Sequence, residues 1–122
     1  MTVTAVIYVT DVAAAVAFYE NVLGLDRDHI DDDGSYGELR SGIAFAANWH
    51  VARHLRIPFR ENDLSAEPAG FGLDVAVDDV DAALERALEA GAQAVWQPQD
   101  KPWGRSAMFR DPNGVPVQVF EG

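Results

Sequence analysis

His50 and His54 stand four residues apart. On a helix that spacing puts two imidazoles on one face, where they could share a metal ion. Position 51 is Val, so the glutamate base of a zinc-protease motif is missing, and the pair reads as solvated linker histidines rather than a metal site. His29 stands alone ahead of Asp31, Asp32 and Asp33 and reads as a surface residue. The chain has no cysteine, which excludes a thiol nucleophile, a disulfide framework and a cysteine metal site. Ser35, Ser41, Ser65 and Ser106 lack the flanking glycines of a nucleophile elbow, and no histidine lies in a core strand to activate them. Glycine-rich phosphate loops are absent as well. What remains is a recognition chemistry. Asp74, Asn48 and Gln118 are polar residues set among apolar ones, and Tyr8, Phe120, Trp49 and Trp103 are aromatics near strand ends or in loops.

The elements that position these residues follow from hydrophobic period. Phe71, Leu73, Val75 and Val77 alternate, as in a half-buried strand. The period then changes. Val80, Ala83, Leu84, Ala87 and Leu88 share one helical face, Asp78 or Asp79 is placed to cap the first turn, and Gly91 follows the last apolar residue. The same unit occurs near the start of the chain. Val9-Thr10-Asp11-Val12 matches Val77-Asp78-Asp79-Val80, and Gly24 corresponds to Gly91. Such a repeat predicts two modules of one design.

In the first module a strand is expected over Val3 to Val9 and a helix from Asp11 to Leu23, with Val12, Ala15, Val16, Tyr19 and Leu23 on its buried side. Strands over Leu25–Ile30, Ser35–Arg40 and Ile43–Asn48 follow, the first two joined by an Asp-Asp-Asp-Gly turn. The second module repeats this β-α-β-β-β order. Its strands cover Phe71–Val77, Ala92–Trp96, Arg105–Arg110 and Val115–Phe120, its helix Asp79–Ala90, with a loop over Gln97–Gly104 and a type I turn at Asp111-Pro112-Asn113-Gly114. The domain plan is module one at 1–48, a linker at 49–69 with one helical turn near Val51 to Leu55, and module two at 70–122. The class is α+β.

The net charge of −11 argues against a nucleic-acid backbone as partner and favours a cationic ligand. No apolar run approaches bilayer-spanning length, and the first residues lack the basic flank of a signal peptide. A cytoplasmic protein without a membrane or nucleic-acid partner is expected.

Paired β-α-β-β-β modules, Val-Thr-Asp-Val with Phe-Tyr-Glu-Asn-Val-Leu-Gly-Leu in the first, and Asp-Pro-Asn-Gly before the last strand resemble the vicinal oxygen chelate superfamily. That superfamily includes glyoxalases, extradiol dioxygenases and bleomycin-type resistance proteins. The run Pro102-Trp103-Gly104-Arg105 leading to Asp-Pro-Asn-Gly is similar to the resistance branch. The resemblance implies that each module curls its sheet into a half-barrel, with the helix on the convex side and the site on the concave side.

Enzymatic members of that superfamily hold a metal with His on the first strand and Glu on the fourth strand of each module. By position these ligands map to Thr4, Ala46, Gly72 and Gln118, which offer no imidazole and no carboxylate. No metal or other cofactor is therefore expected in the bowl, and no catalytic residue. Strand alternation lines the concave face with small or aromatic residues, leaving room for a ligand. Tyr8, Tyr36, Ala46, Asn48, Trp49, Asp74, Trp103, Gln118 and Phe120 are the candidate ligand-binding residues, whereas Trp96 reads as ordinary packing. In the resistance proteins the matching Trp loop lies by the drug groove at the dimer interface, a role the resemblance assigns to Trp103. The reading that follows is a homodimer that sequesters a small aromatic, antibiotic-like molecule without metal. The alternatives are a glyoxalase- or dioxygenase-like metalloenzyme with an unusual site at Asp74 and Gln118, and an interaction module without a small ligand.

Overall fold

A computed structural model describes all 122 residues, Met1 to Gly122. The chain divides into two compact units, Met1–Glu61 and Asn62–Gly122. The first carries β1 (Ala5–Val9), α1 (Val12–Leu23), β2 (Arg27–Ile30), β3 (Tyr36–Leu39), β4 (Ile43–Ala47) and α2 (Asn48–His54). The second carries β5 (Leu73–Ala76), α3 (Val80–Glu89), β6 (Gln93–Lys101), β7 (Gly104–Arg110) and β8 (Pro116–Phe120). Each unit folds its strands into one four-stranded sheet, in the orders β1-β4-β3-β2 and β5-β8-β7-β6. The β1–β4 and β5–β8 pairs are parallel and the others antiparallel. The repeat read from the sequence is thus two β-α-β-β-β sheets of the same topology.

Each parallel pair needs a crossover, and the helix supplies it. Asp11 and Asp79 cap these helices alike. Each is extended, and each carboxylate accepts from the N–H three residues on, at 3.0 Å in both cases. Gly24 ends α1, its N–H donating to the Glu20 carbonyl at 3.1 Å. The buried face of α1 is Val12, Ala15, Val16, Phe18, Tyr19 and Val22. Leu23, expected there, is half-buried, and Phe18 and Val22 take the space instead. Phe18 meets Tyr19 edge-on at 5.2 Å, and Tyr19 stacks on Phe45 at 5.5 Å. Gly37 lets α1 approach β3 closely, because a Cβ there would lie 2.9 Å from Val12 Cγ1.

The strands alternate cleanly. Ile7 and Val9 of β1, and Val117 and Val119 of β8, are buried, while Val6, Gln118 and Phe120 are not. Two segments differ from the sequence reading. Residues 97–101 continue β6 rather than forming a loop, paired through Asp100↔Arg105 and Lys101↔Gly104. The ladder shifts register on both sides of Trp96, which absorbs Pro98 on an edge strand. At the other segment β4 stops at Ala47 and α2 begins at Asn48. The helical turn expected near Val51 to Leu55 is therefore longer and earlier.

The start of the second unit is tied to its sheet. The Arg110 guanidinium donates to the carbonyls of Gly114 (2.9 Å), Leu64 (3.1 Å) and Asp63 (3.2 Å). The turn before β8 is organised by the buried Asp111, whose carboxylate accepts from the N–H groups of Asn113 (2.8 Å) and Val115 (3.0 Å). Replacing this acceptor with a methyl strands two amide donors next to the core. Asp111→Ala is expected to lower unfolding stability by about 2–3 kcal/mol, read as a reduced urea midpoint with an unchanged slope.

Candidate ligand-binding groove

The uncovered face of the second sheet is built by register. Asp74 pairs with Gln118, and Gln118 with Met108, so the three lie in one row across β5, β8 and β7. Ala76, Phe120 and Ser106 form the next row. Trp103 sits at the β6–β7 turn, beside Gln118. Its indole Nε1–H donates to Gln118 Oε1 at 3.0 Å, and Gln118 Nε2 donates to Asp74 Oδ1 at 3.0 Å. A flipped amide would set N–H against N–H and oxygen against oxygen, so the two neighbours fix one orientation. Asp74, Trp103, Gln118 and Phe120 enclose a groove of about 370 Å³. Trp103 remains 55% exposed despite its hydrogen bond, so its ring face is open.

The turn that presents Trp103 is held from several sides. Pro102 presets the backbone, and Gly104 has φ +120, a conformation that suits glycine. A Cβ at Gly104 would also collide with the Glu121 carbonyl oxygen. Next to it, Arg105 makes a two-pronged pair with Asp81 at the start of α3, both bonds 2.9 Å. Glu121 returns a carboxylate oxygen to the Val80 N–H at 3.0 Å. The Arg105 hydrogen bonds are the main cause that holds the Asp81 carboxyl below its usual range.

In the first unit, Tyr8, Ala46 and Tyr36 form a row across β1, β4 and β3, the counterpart of Ala76, Phe120 and Ser106 in the second. The Tyr8 ring meets Phe59 edge-on at 5.5 Å, and Tyr36 lies 5.9 Å from the His29 ring. Burial is the first cause that raises the Tyr36 hydroxyl above its usual pKa. Ala46 is buried and offers only a methyl group. Asn48 and Trp49 do not extend this row, because both belong to α2 rather than β4. Asn48 is 7% exposed; its Nδ2 donates to Thr10 Oγ1 at 3.3 Å and its Oδ1 has no partner. Trp49 is exposed, with the Arg53 guanidinium 5.3 Å over its ring. Trp96 lies within β6, with the Lys101 ammonium 4.8 Å over its ring. His29 was read as a lone surface residue, yet it stands 2.7 Å from Asp28 and 3.6 Å from Asp31. The Asp28 hydrogen bond is the chief cause that raises its pKa. His29 is exposed, as its surface reading expects, and the fold adds Glu38 of β3 as its cross-strand partner.

Residues 2–119 match the model of the Glyoxalase/Bleomycin resistance protein/Dioxygenase superfamily. The chain belongs to this superfamily. Among curated relatives, the anthracycline biosynthesis protein DauV of Streptomyces sp. (strain C5) is 32% identical over 120 residues, covering 90% of this chain and 42% of that protein. The chain thus spans less than half of that relative's length. A glyoxalase-related enzyme from Fulvimarina pelagi superposes with a TM-score of 0.81 at 16% identity, covering 100% of this chain and 88% of that one. The bleomycin-binding protein of Streptomyces verticillus, solved with copper(II)-bleomycin, superposes with a TM-score of 0.59 at 22% identity, covering 100% and 96%. At these identities the two structures share the superfamily fold with this chain.

The positions that carry metal in enzymatic members of the superfamily do not fit a metal in this chain. Ala46 has no donor atom, Gly72 has no side chain, and the Thr4 hydroxyl faces Glu38 at 3.5 Å. The Gln118 amide is occupied at both ends by Trp103 and Asp74. No catalytic step through a metal is derived from them.

Two outcomes test this geometry. In a protein whose other tryptophans are replaced by Phe, Gln118→Leu should shift Trp103 emission to the red and raise its acrylamide quenching, with circular dichroism unchanged. The Asp81–Arg105 pair sets a pH dependence. A carboxyl lowered in the folded state contributes stability that is present above its unfolded pKa and lost as pH falls through the folded value. Stability should therefore decline below about pH 4, and Asp81→Asn should flatten that limb in urea titrations run across the acid range.

Proposed function

We propose that the groove of the second unit binds a small, flat aromatic molecule non-covalently and without metal. A ligand with a cationic or N–H-donating group is favoured. The observation that carries this reading is the chain from Trp103 through Gln118 to Asp74. It leaves an open indole face at one end and an acceptor-only carboxylate at the other, with Phe120 beside them. A planar ring would lie against Trp103 and Phe120, gaining about 0.5–1.5 kcal/mol per aromatic pair beyond burial. Asp74 uses Oδ1 for Gln118, so Oδ2 is available to a donor on the ligand. The acidic surface adds a long-range attraction for a cation.

The names of two relatives support the ligand class. One belongs to the biosynthesis of anthracyclines, which are flat polycycles bearing an amino sugar, and the other binds bleomycin. Sequestration of an antibiotic-like compound, giving resistance to it, is the function that fits. The family resemblance favours a homodimer acting in the cytoplasm.

Daunorubicin and its uncharged aglycone provide the test. Saturable quenching of tryptophan emission by daunorubicin is expected, abolished in Trp103→Ala. Asp74→Asn should weaken the cationic drug about tenfold, the scale of one charge-assisted hydrogen bond, and leave the aglycone little changed. Equal weakening of both would remove Asp74 from the reading. Absence of saturable quenching by any planar cation would leave the interaction module. A stoichiometric divalent metal retained through purification and lost in Asp74→Asn would favour the enzyme.

A further inference from the structure

In the first unit, His50 and His54 form a pair that the proposed binding function does not use. They occupy adjacent turns of α2, with ring centroids 4.5 Å apart and planes inclined at 48°. Their neighbours in the protein are aromatic: each other and, for His50, the Trp49 ring at 5.7 Å. The cation between them in sequence, Arg53, is drawn onto the Trp49 ring. Across from the helix stands the β2–β3 turn. The Ala47 N–H, immediately before α2, donates to the Ser35 carbonyl at 2.9 Å, which ties that turn to the start of the helix. Asp33 in the turn accepts from the Ser35 N–H at 2.9 Å.

We infer that His50 and His54 chelate a divalent transition-metal ion across one turn of α2. Neutral imidazoles suit copper, nickel and zinc, and the order of divalent affinities places copper(II) first. The net charge of −11 raises the local concentration of any cation. The structural effect is specific. Helices as short as the seven residues of α2 are marginal by themselves, and a metal bridging positions 50 and 54 pins the turn that overlaps the Leu55 N–H to Val51 carbonyl bond of 2.9 Å. Binding there firms the helix that carries Asn48 and Trp49.

The test uses the full chain, stripped with a chelator, in a Trp96→Phe, Trp103→Phe background, so that Trp49 is the sole fluorophore. Copper(II) chloride should quench Trp49 saturably with one ion per chain. His50→Ala and His54→Ala should each weaken this by about tenfold or more, with circular dichroism retained, and His29→Ala should leave it unchanged. With zinc, amide exchange at Leu55 should slow. Quenching that survives in both His→Ala variants, or that follows His29, overturns the site, as does unchanged Leu55 exchange at saturating zinc. Because Trp103 is absent throughout, the result is independent of whether the groove binds a drug.

Discussion

A β-sheet has two faces, and in each unit a single crossover helix covers one of them. This constraint shapes the molecule. The helix-facing residues must be apolar and close-packed, and they are: Val9, Phe45, Phe109, Val117 and Val119 are fully buried. The opposite face is released from packing. There the second sheet places an aspartate, a glutamine and two aromatics within one groove, at little cost to the core. Three polar groups in a row would be a liability inside a protein. On this face they satisfy one another and still leave an oxygen toward solvent.

The two sheets, alike in topology, present different chemistry on that face. In the second unit Asp74 and Gln118 lie side by side, with an exposed indole bonded to the glutamine. In the first, Tyr8, Ala46 and Tyr36 make an aromatic row with a small residue at its centre, bordered by His29, Asp28 and Glu38. A duplicated module keeps its buried face because packing demands it, and diverges on the other. Membership of the superfamily describes the shared face; the ligand is a matter of the divergent one.

Much of this was legible in the sequence because it rests on short-range rules. Period-two alternation located β1, β5 and β8, and the capping aspartates and closing glycines located α1 and α3. Alternation also placed Asp74, Gln118 and Phe120 on one face, where the structure gathers them with Trp103. What was not legible depends on tertiary context. Gln97 to Lys101 carry turn-like residues, including Pro98, yet extend β6 because β7 offers a partner and the register shifts take up the proline. Asn48 continues an apolar alternation but turns into α2, where Thr10 and burial hold its side chain. The link from Trp103 to Gln118 joins residues 15 apart through the fold-back of a hairpin, which no local pattern encodes.

β8 carries the last lesson. Its Val117 and Val119 point one way and its Pro116, Gln118 and Phe120 the other, while its backbone bonds to β5 and β7 are indifferent to side chain. Odd and even positions of a five-residue segment therefore answer to separate selective pressures. Substitutions at the even positions would alter the open face and leave the packed one intact, whereas substitutions at the odd positions would disturb the core. An architecture of this kind lets surface chemistry vary independently of fold stability.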